Sequence, residues 1–325
     1  MTNLTIRPFE PTDEEYKSVV ALVNAEWPDD PASVEIWKHN DNIRNPNYHH
    51  ERFVGEVGDG SGSMKIVAVG AVWESIWTNK PGKYNFDLDV TQGYREQGLD
   101  TPFYQHLADS LADRNPTELK TWTREDKTLH IDFLKKMGFE QTLREPDSQL
   151  DVPAFDFTPF AGAQEKVAAS GIEILTLSEL QERDANWMQK LYDLEIAVEQ
   201  DVPDTDDLTP AGLEEYAKNF KRPHIRPDAW FIAVDGMEYV GLSNLWPNTV
   251  LKDKLGVGIT GVLRSHRRRG IATALKLRTI EFAQEYGAKI IETGNEENNP
   301  MYDLNMKLGF KPTPAYLTFE KCCRS

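Results

Sequence analysis

An internal repeat is the feature of this sequence that most constrains its fold. The segments Tyr94–Gly98 and His266–Gly270 each carry an arginine in second place and a glycine in fifth place, and they lie 172 residues apart. The segments Phe133–Phe139 and Leu304–Phe310 both end in glycine and phenylalanine, and they lie 171 residues apart. Two matching landmarks at nearly one offset predict two related domains, with a period far longer than that of a solenoid.

The length of 325 residues suits two domains of ordinary size. We predict an N-terminal domain at residues 1–160, a short helical linker at 161–171 and a C-terminal domain at 172–325. In each half, apolar segments typical of meandering strands precede a strand, a helix and a further strand. This order predicts an α/β layer fold with a mixed sheet in each domain.

Two helices of the second half have end signals that can be tested against the structure. A helix over Ile271–Tyr286 is expected to end at Gly287, because a glycine readily adopts the left-handed conformation of a C-cap. Another helix is expected to begin with Thr209 as its N-cap and Pro210 at its first position.

The charge balance excludes several classes of function. Acidic residues outnumber basic ones by 53 to 36, giving a formal net charge of -17. A nucleic-acid binder would need a basic face, and so would a protein that docks on an anionic membrane. We therefore expect neither partner, whereas a cationic small molecule would be attracted.

The cysteines and the apolar segments bear on the compartment. The only two cysteines, Cys322 and Cys323, are adjacent, so neither a disulfide framework nor a metal site is expected. No stretch reaches the length of a membrane span, and the first ten residues lack the apolar core of a signal peptide. A cytoplasmic location is the expectation.

The triplet Arg267–Arg269 precedes Gly270 between a predicted strand and a predicted helix. Free backbone N–H groups at a helix N-terminus, together with guanidinium groups, favour an anion such as a phosphate. The alternative is a solvated basic loop. The segment is neither a Walker loop nor the glycine fingerprint of a dinucleotide fold.

The whole pattern resembles the GCN5-related N-acetyltransferase (GNAT) family, which carries Arg/Gln-x-x-Gly-x-Gly/Ala between a strand and a helix. Arg267, Gly270 and Ala272 match that motif here. The later strand, asparagine and Leu-Gly-Phe turn of the family map onto Ile290–Thr293, Asn298 and Leu308–Phe310. The resemblance spans residues 172–320, and residues 4–158 resemble a second, diverged copy. It implies two tandem domains, each with a mixed, mostly antiparallel sheet flanked by helices.

The resemblance further implies an N-acetyltransferase that moves an acetyl group from acetyl-CoA to a primary amine of a small molecule. The pyrophosphate would lie on the backbone amides of residues 268–273, and the pantetheine arm would run beside Val262–Arg264 as an added strand. The implied cofactor-binding residues are Val262, Leu263, Arg264, Arg267, Arg268, Arg269, Gly270, Ile271, Ala272, Thr273 and Asn298.

The catalytic candidates are Tyr302, Asn305 and Glu292. Many members of the family have a tyrosine as general acid where this chain has Asn305, so Tyr302, about one helical turn earlier, is the alternative acid. Glu292 could act as a base through water, or it could only pair with an arginine. A backbone N–H near Leu263 is the expected donor to the developing oxyanion.

Glu195 and Asp201 are the candidate substrate-binding residues, because carboxylates in this region could hold a cationic amine. The alternative is an acidic, solvated helix end. The identity of the amine stays open.

The first copy is expected to be degenerate. Asp100 stands where the second copy has Ala272, and a carboxylate there would repel a pyrophosphate or cap the helix itself. A monomer or weak dimer is expected. The competing hypothesis for the whole chain is a catalytically silent acyl-CoA-binding tandem that serves as a sensor or scaffold.

Overall fold

The computed structural model describes residues 3–323, with the exception of residues 59, 61, 77, 79, 204 and 207. Within these residues, every helix is too short or too polar to traverse a lipid bilayer. The chain forms two compact units. Unit 1 comprises the chain up to Arg144 together with the stretch from Tyr316 onward, and unit 2 comprises Glu145–Ala315.

The first half of the chain begins with a short strand and two capped helices. The Thr12 hydroxyl accepts the Glu15 amide at the start of the first helix, and the Ser33 hydroxyl accepts the Ile36 amide at the start of the second. The elements in order are β1 (Thr5–Pro8), α1 (Asp13–Glu26), α2 (Val34–Ile43), β2 (His50–Gly58), β3 (Met64–Trp73), β4 (Lys83–Val90), α3 (Gln92–Arg95), α4 (Asp100–Ser110), β5 (Glu118–Arg124), α5 (Thr128–Lys136) and β6 (Glu140–Asp151).

After a short connecting helix, the second half has a similar order, with three helices between its first two strands and one between its fourth and fifth. Its elements are α6 (Ala163–Ala169), β7 (Ile172–Thr176), α7 (Leu177–Arg183), α8 (Trp187–Glu199), α9 (Leu213–Ala217), β8 (Trp230–Asp235), β9 (Glu238–Pro247), β10 (Lys254–Val262), α10 (Ile271–Tyr286), β11 (Ile290–Gly294), α11 (Pro300–Lys307) and β12 (Lys311–Cys322).

The sheet of unit 1 has the strand order β1-β2-β3-β4-β5-β12. Its neighbours are antiparallel except for β4 and β5, which are parallel and are connected through α4. Phe103 and Leu107 of α4 are almost fully buried against the sheet, as the apolar stripe of that helix requires.

The sheet of unit 2 has the corresponding order β7-β8-β9-β10-β11-β6. Here too one pair, β10 and β11, is parallel, and the other neighbours are antiparallel. The buried stripe of the crossover helix α10 includes Ala274, Leu275 and Leu277. The predicted mixed, mostly antiparallel α/β architecture is therefore confirmed in both units.

The compact units differ from the predicted domains 1–160 and 172–325 because the second part of the last strand of each half belongs to the other unit. Strand β6 of the first half pairs with β11 from Asp147 to Asp151. Strand β12 of the second half pairs with β5 from Tyr316 to Cys322. The predicted linker 161–171 contains α6, whose Val167 is buried in a core cluster of unit 2 with Leu275.

The two helix-end predictions have opposite outcomes. Gly287 is the left-handed C-cap of α10, with a φ of 82°, as predicted. The helix expected at Thr209 was predicted wrongly, because α9 begins at Leu213 with Gly212 as its N-cap.

Gly261 in β10 lies directly under α8. A Cβ atom built on Gly261 would lie 2.0 Å from Val198 Cγ1, so the helix packs closely only because no side chain is present. We expect Gly261→Ala to lower the free energy of unfolding by about 1–3 kcal/mol through overpacking. Gly256→Ala in the same strand is the control, since its Cβ would meet nothing closer than 3.9 Å. Denaturant midpoints measure both, and equal losses would contradict this account.

Candidate functional site

Strands β10 and β11 diverge within unit 2 and leave one edge of β10 open. Among the described residues, they pair only over Lys254–Gly256, although β10 continues to Val262. The register with β9 places Thr260 and Val262 at non-hydrogen-bonded positions. Since such positions alternate along an antiparallel ladder, their backbone groups face away from β9 and toward the open edge. An extended amide chain can bind such an edge as an additional strand.

The neighbouring Leu263 does not have a free amide. Its N–H donates to the carbonyl oxygen of Val240 at 2.9 Å. The amide of Leu263 itself is therefore engaged in the sheet, so the expected oxyanion donor near Leu263 would be a neighbouring amide, and this stays a prediction. The amides of Thr260 and Val262 are the ones directed to the open edge.

The loop between β10 and α10 has the backbone form of an anion site. Arg268 has a φ of 63° and Gly270 a φ of 83°, both in the left-handed region. In the part of the chain that the structure describes, no acceptor takes the amide hydrogens of residues 268–273. These N–H groups lie at the N-terminus of the sixteen-residue helix α10, where the helix dipole adds positive potential. The predicted segment, including Ile271, Ala272 and Thr273, is therefore suited to a phosphate.

Two arginines of this region are held by the same carboxylate. Arg264 donates to Asp201 through Nε at 2.8 Å, and Arg267 donates through Nη2 to the other oxygen of Asp201. These hydrogen bonds, chiefly that of Arg264, hold the pKa of Asp201 below its usual range. Asp201 therefore lies beside the arginine loop, so it has a different partner from the predicted amine. Its role in substrate binding stays a prediction.

The other arginines differ in their surroundings. Arg267 also donates from Nε to the Val262 carbonyl at 3.0 Å, which fixes the loop to the end of β10. Arg269 lies 3.6 Å from Asp235, which His266 also contacts. Within the described residues, exposed Arg268 has no carboxylate within 4 Å. Arg268 is therefore the arginine whose charge is available to a ligand.

Asn298 lies in the loop after β11. Its backbone amide and its side-chain amide both donate to the buried carboxylate of Glu296, at 2.8 and 2.7 Å. The side chain is exposed, and its carbonyl oxygen is not used by these bonds. The structure therefore orients Asn298, and its contact with a cofactor arm stays a prediction.

The two candidates on α11 have different environments. Asn305 is completely buried, and its Nδ2 donates to Asn295 Oδ1 at 2.6 Å. Its Oδ1 is buried without a partner among the described residues. Tyr302 is half-buried, whereas Asn305 has no exposed surface. The arrangement therefore favours Tyr302 over Asn305 as a group that could reach a ligand.

Glu292 on β11 is engaged in the sheet rather than near the arginines. Its two carboxylate oxygens contact Lys254 Nζ at 2.7 Å and Gln149 Nε2 at 2.6 Å. Lys254 is itself buried, so the pair compensates two charges at the point where β10 and β11 are still joined. Of the two sequence alternatives, an ion pair is what the structure shows, with a lysine as the partner.

Glu195 is a titratable group of unit 2 that can accept a proton near neutral pH. It lies on α8 one turn before Val198, the residue that packs over Gly261 of β10. Burial is the largest cause that raises the pKa of Glu195; a hydrogen bond from Tyr216 lowers it, the Glu199 carboxylate raises it, and the net pKa is about 7. A carboxylate with a pKa near neutrality is matched to general-base work.

Several buried polar groups of unit 2 were not found from the sequence. The Tyr216 hydroxyl is buried beside Glu195, whose pKa it lowers. Trp246 Nε1 is buried and lacks a hydrogen-bond partner among the described residues. Asn244 accepts the Ile259 amide at 2.7 Å, at the bulge of β10. An asparagine inside an apolar strand was the available signal for this bulge. A buried donor without a partner calls for an explanation, and a ligand is one.

The corresponding loop of unit 1 differs at its helix. Arg95 donates to the Val90 carbonyl at 3.4 Å, the same contact that Arg267 makes with Val262. Asp100, however, is the first residue of α4, and its Oδ1 accepts the Thr101 amide at 2.8 Å. The carboxylate thus occupies the helix N-terminus that a phosphate would need.

Comparison with known proteins gives a family match over the second half. Residues 188–310 match the family model described as the acetyltransferase (GNAT) family. This range contains the open edge of β10, the arginine loop and Glu195. No curated protein has a matching sequence.

Solved structures resemble the whole chain. A tandem GNAT protein from the clavulanic acid biosynthesis pathway has 18% identity and a TM-score of 0.76, with 99% of this chain and 100% of that chain covered. A GCN5-related N-acetyltransferase from Sphaerobacter thermophilus has 18% identity and a TM-score of 0.70, with 99% and 96% covered. The N-myristoyltransferase of Saccharomyces cerevisiae, solved with myristoyl-CoA, has 11% identity and a TM-score of 0.62, with 100% and 80% covered. At these identities the likeness establishes the fold.

Proposed function

We propose that this chain, a tandem member of the acetyltransferase (GNAT) family, uses unit 2 to transfer an acetyl group from acetyl-CoA to a primary amine of a small molecule. Its fold supports acyl transfer in general. The observation that carries the finer proposal is the combination, within one unit, of an open strand edge, an unpaired helix N-terminus and a half-buried acid with a pKa near 7.

The residues of unit 2 around the arginine loop and the open edge of β10 fit acetyl-CoA. Amides 268–273 and the charge of Arg268 would hold the pyrophosphate, and the backbone groups of Thr260 with the amide of Val262 would hold the amide-containing arm. When bound, acetyl-CoA supplies an activated thioester. An amide at the open edge of β10 would donate to the carbonyl oxygen as negative charge develops there.

The chain's own acid–base group would be Glu195. An amine is protonated at neutral pH and must lose a proton before it can attack, and a carboxylate with a pKa near 7 can accept that proton. Tyr302 would be placed to protonate the departing thiolate, although a thiol with a pKa near 8.5 can also leave unassisted. The aromatic rings of Tyr216 and Trp246 would form the wall of the acceptor site.

The acceptor is proposed to be a cationic amine, because the chain is strongly acidic and Glu195 and Glu199 lie on the same helix. The cytoplasmic location and the monomeric or weakly dimeric state remain predictions from the sequence.

Release of free thiol from acetyl-CoA in the presence of a panel of amines tests the proposal. We expect turnover with at least one cationic amine, and calorimetry should show one acetyl-CoA site per chain. Tight binding without turnover on any amine would instead identify the silent tandem module. Faster turnover of a long-chain acyl-CoA would contradict the proposal that acetyl is the transferred group, but it would still support acyl transfer.

A further inference from the structure

Strand β4 of unit 1 has three polar side chains on one face of the sheet. Asn85, Asp87 and Asp89 alternate along the strand with Phe86 and Leu88, which are buried in the core that α4 covers. Polar groups on the face of an inner strand need partners, because leaving them without hydrogen bonds costs free energy. The surroundings of these three side chains therefore decide whether the fold alone explains them.

The neighbours of Asp87 leave space beside it. Ala71, a small residue, lies directly opposite on β3, and its amide donates to Asp87 Oδ1 at 2.9 Å. On the other side, β4 and β5 pair only over 83–85 with 118–120 among the described residues, so the strands diverge at Asp87. The side chain is exposed, yet burial is the largest influence on its pKa and raises it to about 6. A carboxylate that touches solvent and is still partly dehydrated lies in a recess of the protein.

Two tryptophan rings border this recess. Trp73 lies opposite Asn85 on β3, and Trp122 lies two residues beyond Lys120, the β5 partner of Asn85. The rings stack with their centroids 6.4 Å apart, so they approach each other across β4 on the face that carries Asn85. Both residues are half-buried, so each keeps surface for a ligand beside Asp87.

The Asn85 side chain has no hydrogen-bond partner among the described residues, although Asn85 is only 7% exposed. Neither its Oδ1 nor its Nδ2 belongs to the unpartnered polar atoms that solvent cannot reach. Both atoms are therefore accessible, on the face that carries Asp87. An unpaired amide in a nearly buried position is costly, and a ligand that hydrogen-bonds to it would recover that cost.

The cations nearest to Asp87 are bound elsewhere. Within the part of the chain that the structure describes, no cationic nitrogen lies within 4 Å of Asp87. Arg52 and Arg44 oppose the rise of its pKa, but they donate to Asp41, at 2.7 and 2.8 Å. Since the pKa of Asp87 stays near 6 despite both arginines, a further positive charge at contact distance would stabilise the carboxylate.

The other charges of this face do not supply that cation. Arg124 on β5 donates to two carboxylates, at 2.7 and 3.1 Å. Lys120 has its own partners and is not among the charges that most affect the pKa of Asp87. Asp89 accepts the Trp27 indole N–H at 2.8 Å. Burial, and then Asp87, raise the pKa of Asp89 to about 7, so it adds partial negative charge near neutral pH.

We propose that this recess of unit 1 binds an organic cation with a primary ammonium group, which donates to the Asp87 carboxylate and to Asn85 Oδ1 while its carbon chain lies against Trp73 and Trp122. Cation–π attraction adds to the apolar contact with such rings. A metal ion would need more oxygen ligands, and the described residues contain no group of three or more candidate ligands. Counted from the first residue of each strand, unit 2 has Gly258 where unit 1 has Asp87. The site is therefore additional to the acceptor site of unit 2 and does not depend on acyl transfer.

Titration of the full chain with n-butylammonium, followed through the indole N–H signals in proton–nitrogen NMR spectra, tests this site. Trp73→Phe and Trp122→Phe assign the two signals, which we expect to shift saturably. The uncharged analogue n-butanol should not reproduce the shifts. Asp87→Asn should weaken binding on the order of tenfold or more, the effect of losing a charged hydrogen bond. Asn85→Leu should weaken it by a smaller factor. Asp132→Asn, at an exposed aspartate on α5, should leave it unchanged.

The pH dependence of binding gives a second readout. Between about pH 5 and pH 8, Asp87 and Asp89 lose their protons while n-butylammonium and the arginines stay charged. His50 on the same face stays neutral, because burial lowers its pKa to about 3. Asp41 stays ionised, because hydrogen bonds from two arginines outweigh burial and hold its pKa at about 2. Binding should therefore tighten on the order of tenfold over this range, and Asp87→Asn should remove most of the rise.

Thermal unfolding and acetyl-CoA titration of each variant show that the chain is folded. Three results would overturn the proposal: no saturable shift of either indole signal, equal binding of n-butanol, or undiminished binding in a folded Asp87→Asn chain. Glu195→Gln should leave the shifts of Trp73 and Trp122 unchanged, and their loss in that variant would overturn the assignment to unit 1. Thiol release is measured separately, so failure of this proposal is distinguishable from failure of the proposed acyl transfer.

Discussion

Glu195→Gln is expected to lower kcat/KM for the acceptor amine by about 10²–10⁴-fold, the usual contribution of a general base. Glutamine has nearly the same shape but cannot accept the proton of the amine. The change leaves the arginine loop and the edge of β10 untouched, so calorimetry should give an unchanged Kd for acetyl-CoA. Thiol release measured at fixed time points gives the loss in kcat/KM.

The pH dependence of kcat/KM tests the same prediction in a second way. With a pKa of about 7, Glu195 is mainly protonated and inactive below that pH and mainly ionised above it. The kcat/KM of the native chain should therefore rise through pH 7 and level off, and this limb should be absent in Glu195→Gln. A Glu195→Gln chain that keeps both the native rate and the native limb would place the base elsewhere.

Asp193→Asn is the matched control for Glu195→Gln. Asp193 lies on the same helix but is exposed and accepts a hydrogen bond from Gln189 at 2.8 Å. Because removal of this charge changes neither burial nor the hydrogen bonds of Glu195, its expected effect on kcat/KM is less than about threefold, within the small contribution of an exposed charge. An equal loss in both variants would indicate general damage to α8.

The repeat made the fold predictable because its matching residues include glycines at positions where the backbone must be left-handed. Gly98 and Gly270 occupy left-handed positions before the crossover helices, and Gly138 and Gly309 occupy them before the last strands; only a glycine adopts such positions readily. The near-equal spacing between these pairs indicates that the same elements lie between them in both halves. The arginine loop was found for the same reason.

The exchange of the last strands could not be read from the sequence. The alternation in β6 and β12 indicates which face of a strand is buried, but it carries little information on which neighbouring strand completes the ladder. Partners between distant residues were missed likewise: Asp201 is 63 residues from Arg264, and Lys254 is 38 residues from Glu292. The raised pKa of Glu195 depends on burial, and the acidic sequence at this helix end does not indicate that the side chain is buried.

Gly270→Asp should weaken acetyl-CoA binding at least tenfold, because it places a carboxylate at the N-terminus of α10 where a pyrophosphate would lie. Gly98→Asp in unit 1 is a closely matched control. Gly98 has a φ of 78° against 83° for Gly270, and an added Cβ would meet nothing closer than 3.8 Å at either position. The backbone strain is therefore shared, and the difference between the variants reports the charge.

Gly98→Asp should change the Kd for acetyl-CoA by less than about twofold, since Asp100 already holds the corresponding helix end. Adding Arg268→Glu to Gly270→Asp should weaken binding further, because Arg268 is the exposed arginine of the loop without a carboxylate partner among the described residues. Calorimetry on the full chain gives all three affinities. If Gly98→Asp were the damaging change, the acyl-CoA would bind in unit 1, and the backbone amides of residues 268–273 would have to serve another anion.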